Sequence, residues 1–233
     1  MRIPNILNPK AREWLLQNFA LGVKNYWFTF VADSSCALFF LLWDLYANHL
    51  RPVYVLGAVF SGYLLWGLSE YIVHRWMYHH DDSIFGDGHR IHHEDAMVLI
   101  AMPWFMTTIS VFSLWYLCAV ALHIPNFSGC LAGWLAGFVW YSIVHHSHHH
   151  WNIQSSWMRK LKAYHRIHHQ FPDRNYGVTM RFWDDVFRTR FHKAGGRNPA
   201  PSGNGSKAPL PEPAAKQFGA WEAEHLAATS TDA

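Results

Sequence analysis

Residues 127–150 read FSGCLAGWLAGFVWYSIVHHSHHH. Residues 127–144 of this stretch carry no charged side chain. At about 1.5 Å of rise per residue, such a run spans most of a bilayer's hydrocarbon core as a helix. It passes directly into His145-x3-His149. That spacing puts two imidazoles on one helix face, about 5–6 Å apart at Cβ, close enough to share an ion. The reading is a membrane helix that ends in metal-binding side chains. Working outward, residues 52–73 are uncharged apart from Glu70 and run into His74-x4-His79. Residues 103–124 contain no acidic residue, Lys or Arg. Residues 27–46 are a weaker span because they carry Asp33 and Asp44; acids at that depth need a partner or an interface. The expected fold is all-α and integral to a membrane, with four transmembrane helices.

Two further frames follow the second and fourth spans: His89-x2-His92-His93 and His165-x2-His168-His169. In helices their members lie three or four apart on one face. The candidate ligands are therefore His74, His79, His89, His92, His93, His145, His149, His165, His168 and His169. Ten imidazoles suit two ions better than one, in a helical cytosolic cap over the span ends. On a regular helix, five residues rotate His74 from His79 by about 140°, so these two are expected to serve different ions. No Cys stands in any frame. About five His per ion favours a five- or six-coordinate metal with an open position, hence iron, with zinc as the alternative. Ligating imidazoles must be neutral, so the site weakens as pH falls. His80, His146, His148 and His150 stand beside the frames as outer residues or as ligands in a shifted register. His49, His123, His192 and His225 are isolated and read as ordinary polar residues.

Hydrophobic residues make up 51% of the 233, aromatics 17%, and there are 13 Trp. The mean hydropathy of −0.06 averages apolar runs with a polar tail. Of the 19 Lys and Arg, only Arg51 falls in the two loops on one side of the spans. The positive-inside rule then puts both termini and every histidine frame on the cytoplasmic face of an inner or cell membrane. The net charge of +3 gives no indication of nucleic acid. Arg159, Lys160, Lys162 and Arg166 suit anionic lipid head groups. Cys36, Cys118 and Cys130 lie in apolar stretches and read as packing residues. No cleavable signal is expected. Residues 1–26 read as an interfacial helix capped at Asn8-Pro9, with Trp14, Leu15, Phe19 and Val23 on its apolar face. Residues 27–193 form the membrane-embedded domain. Turns are expected at residues 81–83 and 86–88. Residues 194–233, rich in Gly, Pro, Ala and Ser, read as a disordered tail in which Trp221 could dock. Around the metals, Glu70 and Asp184 are candidates to hold a ring N–H of a ligating His. Tyr141 and Tyr164 precede frames and are candidates to hydrogen-bond nearby.

Four stretches also carry a resemblance: EYIVHRWMYHH (70–80), HRIHHEDAMVLIAMPW (89–104), YSIVHHSHHHW (141–151) and LKAYHRIHHQFPDRNYGVTMRFWDDVFRT (161–189). In order and spacing they resemble the membrane-bound fatty acid hydroxylase / sterol desaturase superfamily. The G-V-T and W-D signature within residues 177–184 leans towards its fatty acyl 2-hydroxylase branch. The resemblance implies a diiron centre capping a four-helix membrane bundle, with the ten histidines above as ligands. It implies O2-dependent hydroxylation of an unactivated C–H bond in a membrane lipid, most simply in the acyl chain near the head group. The short N-terminus leaves no room for a fused cytochrome domain, so a separate electron-transfer protein is expected. The enzymatic alternatives are a desaturase, or a hydroxylase of a lipid head group, sterol or carotenoid. The alternative of another class is a membrane metal-binding or metal-transport protein. A transporter would place its ligands near the bilayer midplane; here they sit at span ends.

Overall fold

The computed structural model describes residues 8–47, 49, 51–79 and 83–192. His80, the turn expected at residues 81–82, and the tail with Trp221 and His225 lie outside the described residues. The described residues form eight α-helices: α1 (Pro9–Leu15), α2 (Val23–Leu42), α3 (Pro52–Ile72), α4 (Ile84–Glu94), α5 (Trp104–Trp115), α6 (Phe127–His150), α7 (Ser156–Gln170) and α8 (Phe182–Val186). Four π-helical turns extend them, at Leu16–Ala20, Trp43–Ala47, Val73–Tyr78 and Tyr116–Ala121. The four expected spans are present as helices long and apolar enough to cross a membrane: Val23–Tyr46, Pro52–Tyr78, Trp104–Ala121 and Phe127–His150. Their outward faces expose large apolar side chains such as Val31, Leu56, Phe60, Leu65, Ile109 and Leu117. In water that surface would be costly; against lipid tails it is at home.

Helix α6 is the centre of the bundle, with α3 and α2 packed along it. Gly62 and Gly133 make the α3–α6 contact close. A Cβ on Gly133 would stand 1.9 Å from the Val59 carbonyl oxygen, and one on Gly62 1.8 Å from that of Cys130. Only hydrogen fits in these positions, so the two backbones lie against each other. Cys36, Phe40, Val111, Leu131, Ala132 and Leu135 fill the core between α2, α5 and α6. Asp44, whose place in a span called for a partner, is fully buried and accepts the Gly129 N–H at 2.6 Å. It thereby caps the N-terminal end of α6, where an anion is favoured. The three cysteines are unpaired.

The expected cap at Asn8 is formed: its side chain accepts the Lys10 N–H at 2.9 Å, with Pro9 in the first turn. The N-terminal helical stretch ends at Ala20, and the first span begins at Val23 rather than at residue 27. Asp87 on α4 pairs with Arg12 on α1 and with Arg90, joining the N-terminal helix to the cap. Residues 86–88 are not a turn but the first half of α4. Ser83 caps that helix by accepting from Phe85 N and Gly86 N at 3.3 and 3.5 Å. The glycines serve packing there: a Cβ on Gly88 would stand 2.3 Å from Ile100 Cδ1.

Candidate metal centre

The second and fourth spans continue past their apolar runs and deliver His74 and His79, and His145 and His149, to one end of the bundle. Helices α4 and α7 lie over that end and supply the other two frames. The described histidines form two groups in which the offered ligand atoms all lie within 4.8 Å of one another. The first is His74, His79, His89, His93 and His168; the second is His92, His145, His149 and His165. His169 lies outside both groups by this measure. We count it with the second because its Nε2 is 3.1 Å from His165 Nε2 and its ring is 4.9 Å from both His92 and His149, although it also stacks on His93 at 4.4 Å. Each group thus takes a pair from a span end, an i, i+4 pair from one cap helix, and a single imidazole from the other cap helix. Helix α4 gives His89 and His93 to the first group and His92 to the second; α7 gives His165 and His169 to the second and His168 to the first.

The expectation that His74 and His79 serve different ions is overturned, since both belong to the first group, with ring centroids 5.1 Å apart. The reason is the π-helical turn Val73–Tyr78. Its i→i+5 hydrogen bonding brings residues five apart onto one side, where a regular α-helix would turn them away.

In the first group, His89 Nε2 stands 3.1 Å from His74 Nε2, 3.0 Å from His79 Nε2 and 3.1 Å from His93 Nε2. His168 Nε2 stands 3.1 Å from both His79 Nε2 and His93 Nε2. The His89 and His168 rings are 6.2 Å apart, across the group from each other. A neutral imidazole nitrogen donates or accepts a single in-plane hydrogen bond, so contacts this numerous are not all hydrogen bonds. Nitrogens held at about 2.1 Å from a common ion, at right angles, stand about 3 Å apart. The donor set therefore fits a metal of higher than tetrahedral coordination. In the second group, both ring nitrogens of His92 and Nε2 of His145 are buried without a hydrogen-bond partner, a costly state that an ion would relieve.

Burial, reinforced by neighbouring imidazoles, drives His89, His93 and His165 well below the ordinary histidine range. Burial also lowers His169, to about 4. These rings are neutral at pH 7, as ligands must be.

A loop after α7 backs the first group. His74 Nδ1 donates to the Tyr176 carbonyl, and His168 Nδ1 to the Arg174 carbonyl at 2.7 Å. Glu70 and Asp184 do not touch an imidazole; they hold this loop instead. Glu70 accepts from Val178 N at 2.6 Å, from Thr179 N at 2.9 Å and from the Thr179 hydroxyl. Asp184 accepts from Tyr176 N at 2.9 Å, Gly177 N at 2.8 Å and Thr189 Oγ1 at 2.7 Å. Burial raises the Asp184 carboxyl, opposed by these hydrogen bonds. Asn175, which spacing arguments overlooked, pins the loop's other end. It takes a left-handed φ of 55°, which Asn tolerates, and bonds Tyr164 O and Phe191 N.

Tyr141 stacks on His145 at 5.8 Å and 15°. Tyr164 lies beneath Arg181, with its hydroxyl facing the Asp184 carboxylate. Tyr78, not singled out by the sequence, stacks on His89 at 5.1 Å. His146 pairs with the Tyr26 hydroxyl at 2.9 Å, and His148 is buried outside both groups. A cavity of ≈ 80 Å³ reaches the centre between α2, α4 and α6. His89 of the first group and His145 of the second both line it, with Tyr78, Tyr141 and apolar Phe30, Ile100, Met102 and Phe138.

Comparison with known proteins agrees with this geometry. The family described as fatty acid hydroxylase matches residues 59–189. The dihydroceramide fatty acyl 2-hydroxylase FAH2 of Arabidopsis thaliana is 32% identical over 138 residues, covering 55% of this chain and 58% of that protein. The ceramide very long chain fatty acid hydroxylase SCS7 of Saccharomyces cerevisiae is 34% identical over 143 residues, covering 55% of this chain and 36% of that protein. A solved structure described as full-length scs7p, with only its hydroxylase domain visible, superposes with a TM-score of 0.60 at 28% identity, covering 80% of this chain and 69% of that one. The chain spans less than two thirds of the length of these curated relatives. With more than half of its residues matched and both histidine groups in place, the chain belongs to the fatty acid hydroxylase family.

Proposed function

We propose that this protein is an O2-dependent hydroxylase of a membrane lipid's acyl chain, acting near the head group. The observation that carries this reading is the cavity that touches a histidine of each group and is otherwise mainly apolar. The ten imidazoles act as ligands to two iron ions, with zinc able to take the same places. When bound, the two irons supply activation of O2 strong enough to break an unactivated C–H bond. The protein's own part is to hold that centre and steer the lipid. Phe30, Ile100, Met102 and Phe138 exclude water from the chain's path. Tyr78 and Tyr141 line the same space and offer hydroxyl donors to a polar group entering beside the apolar tail. The substrate comes sideways from the bilayer, and the centre lies at the cytoplasmic face with both termini on that side. A separate carrier delivers the electrons.

Lipid mass spectrometry of cells expressing the wild type against His168→Ala tests the proposal. A lipid that gains one oxygen, placed near the head group and lost in the variant, is expected. Product hydroxyls found only deep in the chain would sink the positional claim. Loss of two hydrogens in place of a gain of oxygen would make the protein a desaturase.

A further inference from the structure

The two histidine groups are supported unequally. Four successive backbone N–H groups, those of residues 176–179, all go to two carboxylates. Glu70 is 2% exposed and Asp184 0%, so no water competes for them. Gly177 sits inside this grip; a Cβ there would stand 1.9 Å from the Met180 carbonyl oxygen and 3.0 Å from Asp184 Oδ2. The Gly177 N–H and the Tyr176 C=O belong to one peptide unit. An anion accepting from that N–H polarises the carbonyl on its other side, and this carbonyl accepts from His74 Nδ1. Likewise the Arg174 carbonyl, which holds His168, shares a peptide with Asn175 N, which donates to Thr189 O at 3.0 Å. Thr189 is itself held by Asp184. Both braced imidazoles belong to the first group. In the second group, His165 Nδ1 has no hydrogen-bond partner, and His92 has only the Val98 carbonyl beside it, on a stretch that neither carboxylate holds. In the first group His93 Nδ1 is likewise without one, so the bracing there falls on His74 and His168.

We infer that Glu70 and Asp184 are positioning residues for the first metal site alone, acting through the 174–179 backbone. The first site is then a retentive site and the second an exchangeable one. Hydrogen bonds that orient a ligating imidazole and raise its basicity change metal affinity by about 10–100-fold, which sets the size of the asymmetry. The inference rests on reading the ten imidazoles as metal ligands, but not on which lipid is oxidised.

The test uses the full chain purified in detergent, loaded with Zn²⁺ and challenged with excess chelator, with released metal followed over time. Two ions should leave in two phases, the slower at least about 10-fold behind the faster. His149→Ala should remove the fast phase and His79→Ala the slow one, which assigns the phases to the groups. Asp184→Asn keeps an acceptor oxygen and the shape of the side chain. It should speed the slow phase about 10-fold and leave the fast phase unchanged. Glu70→Gln gives a second variant of the same kind, should Asp184→Asn fail to accumulate. Two ions released at one rate would overturn the inference while leaving the ligand assignment standing. So would variants that accelerate both phases equally. Failure of the wild type to take up two ions would overturn the ligand assignment as well.

Discussion

A buried imidazole without a charge partner is stable only while it stays neutral, and this protein gathers many such rings in one place. His169, lowered to about 4 by burial, shows the consequence. In the unfolded chain it takes up a proton near pH 6.5; in the folded chain it resists until about 4. Above pH 6.5 both states are neutral and the difference vanishes. As pH falls from 6.5, the unfolded state binds protons that the folded state refuses, so stability falls. The metal-free protein should therefore lose thermal stability steadily from pH 7 to pH 5, with bound metal opposing the loss. Thermal unfolding in detergent across that range checks this; a flat profile for the metal-free form would contradict it. The imidazoles themselves were legible in the sequence because i, i+3 and i+4 spacing has a direct geometric meaning. Nine of the ten fall into two groups, with His169 beside the second, and the cap-helix members divide by the helix face each occupies. The partners of Glu70 and Asp184 were not legible. Both carboxylates bond mainly backbone N–H groups, and a loop's path cannot be read from side-chain identity.

Helix packing decides whether those rings meet at all. Helices α3 and α6 carry the two span-end pairs, and their spacing is set where Gly62 and Gly133 let backbone touch backbone. On α6 the glycines recur at 129, 133 and 137, a small-residue stripe of the kind that brings membrane helices close. This stripe was not singled out from the sequence; its role shows only where the opposing backbone is known. Gly133→Ala should push α3 away, because the atom opposing the new Cβ is the Val59 carbonyl, not the end of a flexible side chain. A cost of about 1–3 kcal/mol is expected, together with a fall in bound metal as His74 and His79 move from their places. Gly57→Ala is the control. A Cβ there meets nothing within 4 Å, and losing a helical glycine should leave stability unchanged or raise it by about 0.5–1 kcal/mol. Thermal unfolding with metal analysis separates the two; equal behaviour would mean the close contact is unimportant. The π-helical turn at Val73–Tyr78 is the opposite case. Nothing in the residue pattern VHRWMY marks an i→i+5 turn, so a reading built on 3.6 residues per turn sends His74 and His79 apart.

The bundle and its cap together create a space that neither contains alone. The cavity is walled by α2 and α6 from the membrane, by α4 from the cap, and by residues 100–102 where the chain returns towards α5. Hydropathy made the four spans legible and placed the histidine frames at their ends, but a void has no sequence signature. Its walls come from residues as distant as Ala20 and His145. The N-terminal stretch closes it from one side: Ala101 N donates to Ala20 O at 3.1 Å, and Asn25 bridges Met102 O and Trp104 N at 3.0 and 3.1 Å. Ala101 lines this space, so a larger side chain there projects into it. If the cavity is the path of an acyl chain, Ala101→Leu should obstruct the chain while leaving every imidazole in place. Hydroxylated lipid should fall at least about 10-fold, the cost of a few kcal/mol of overpacking met only when substrate enters. Metal content should stay at two ions per chain and thermal stability near that of the wild type. Phe138→Ala works in the other direction, widening the wall opposite and shifting the product towards bulkier chains. Full activity in Ala101→Leu, with both ions bound, would place the lipid's path elsewhere and leave Tyr78 and Tyr141 as supports for His89 and His145 alone.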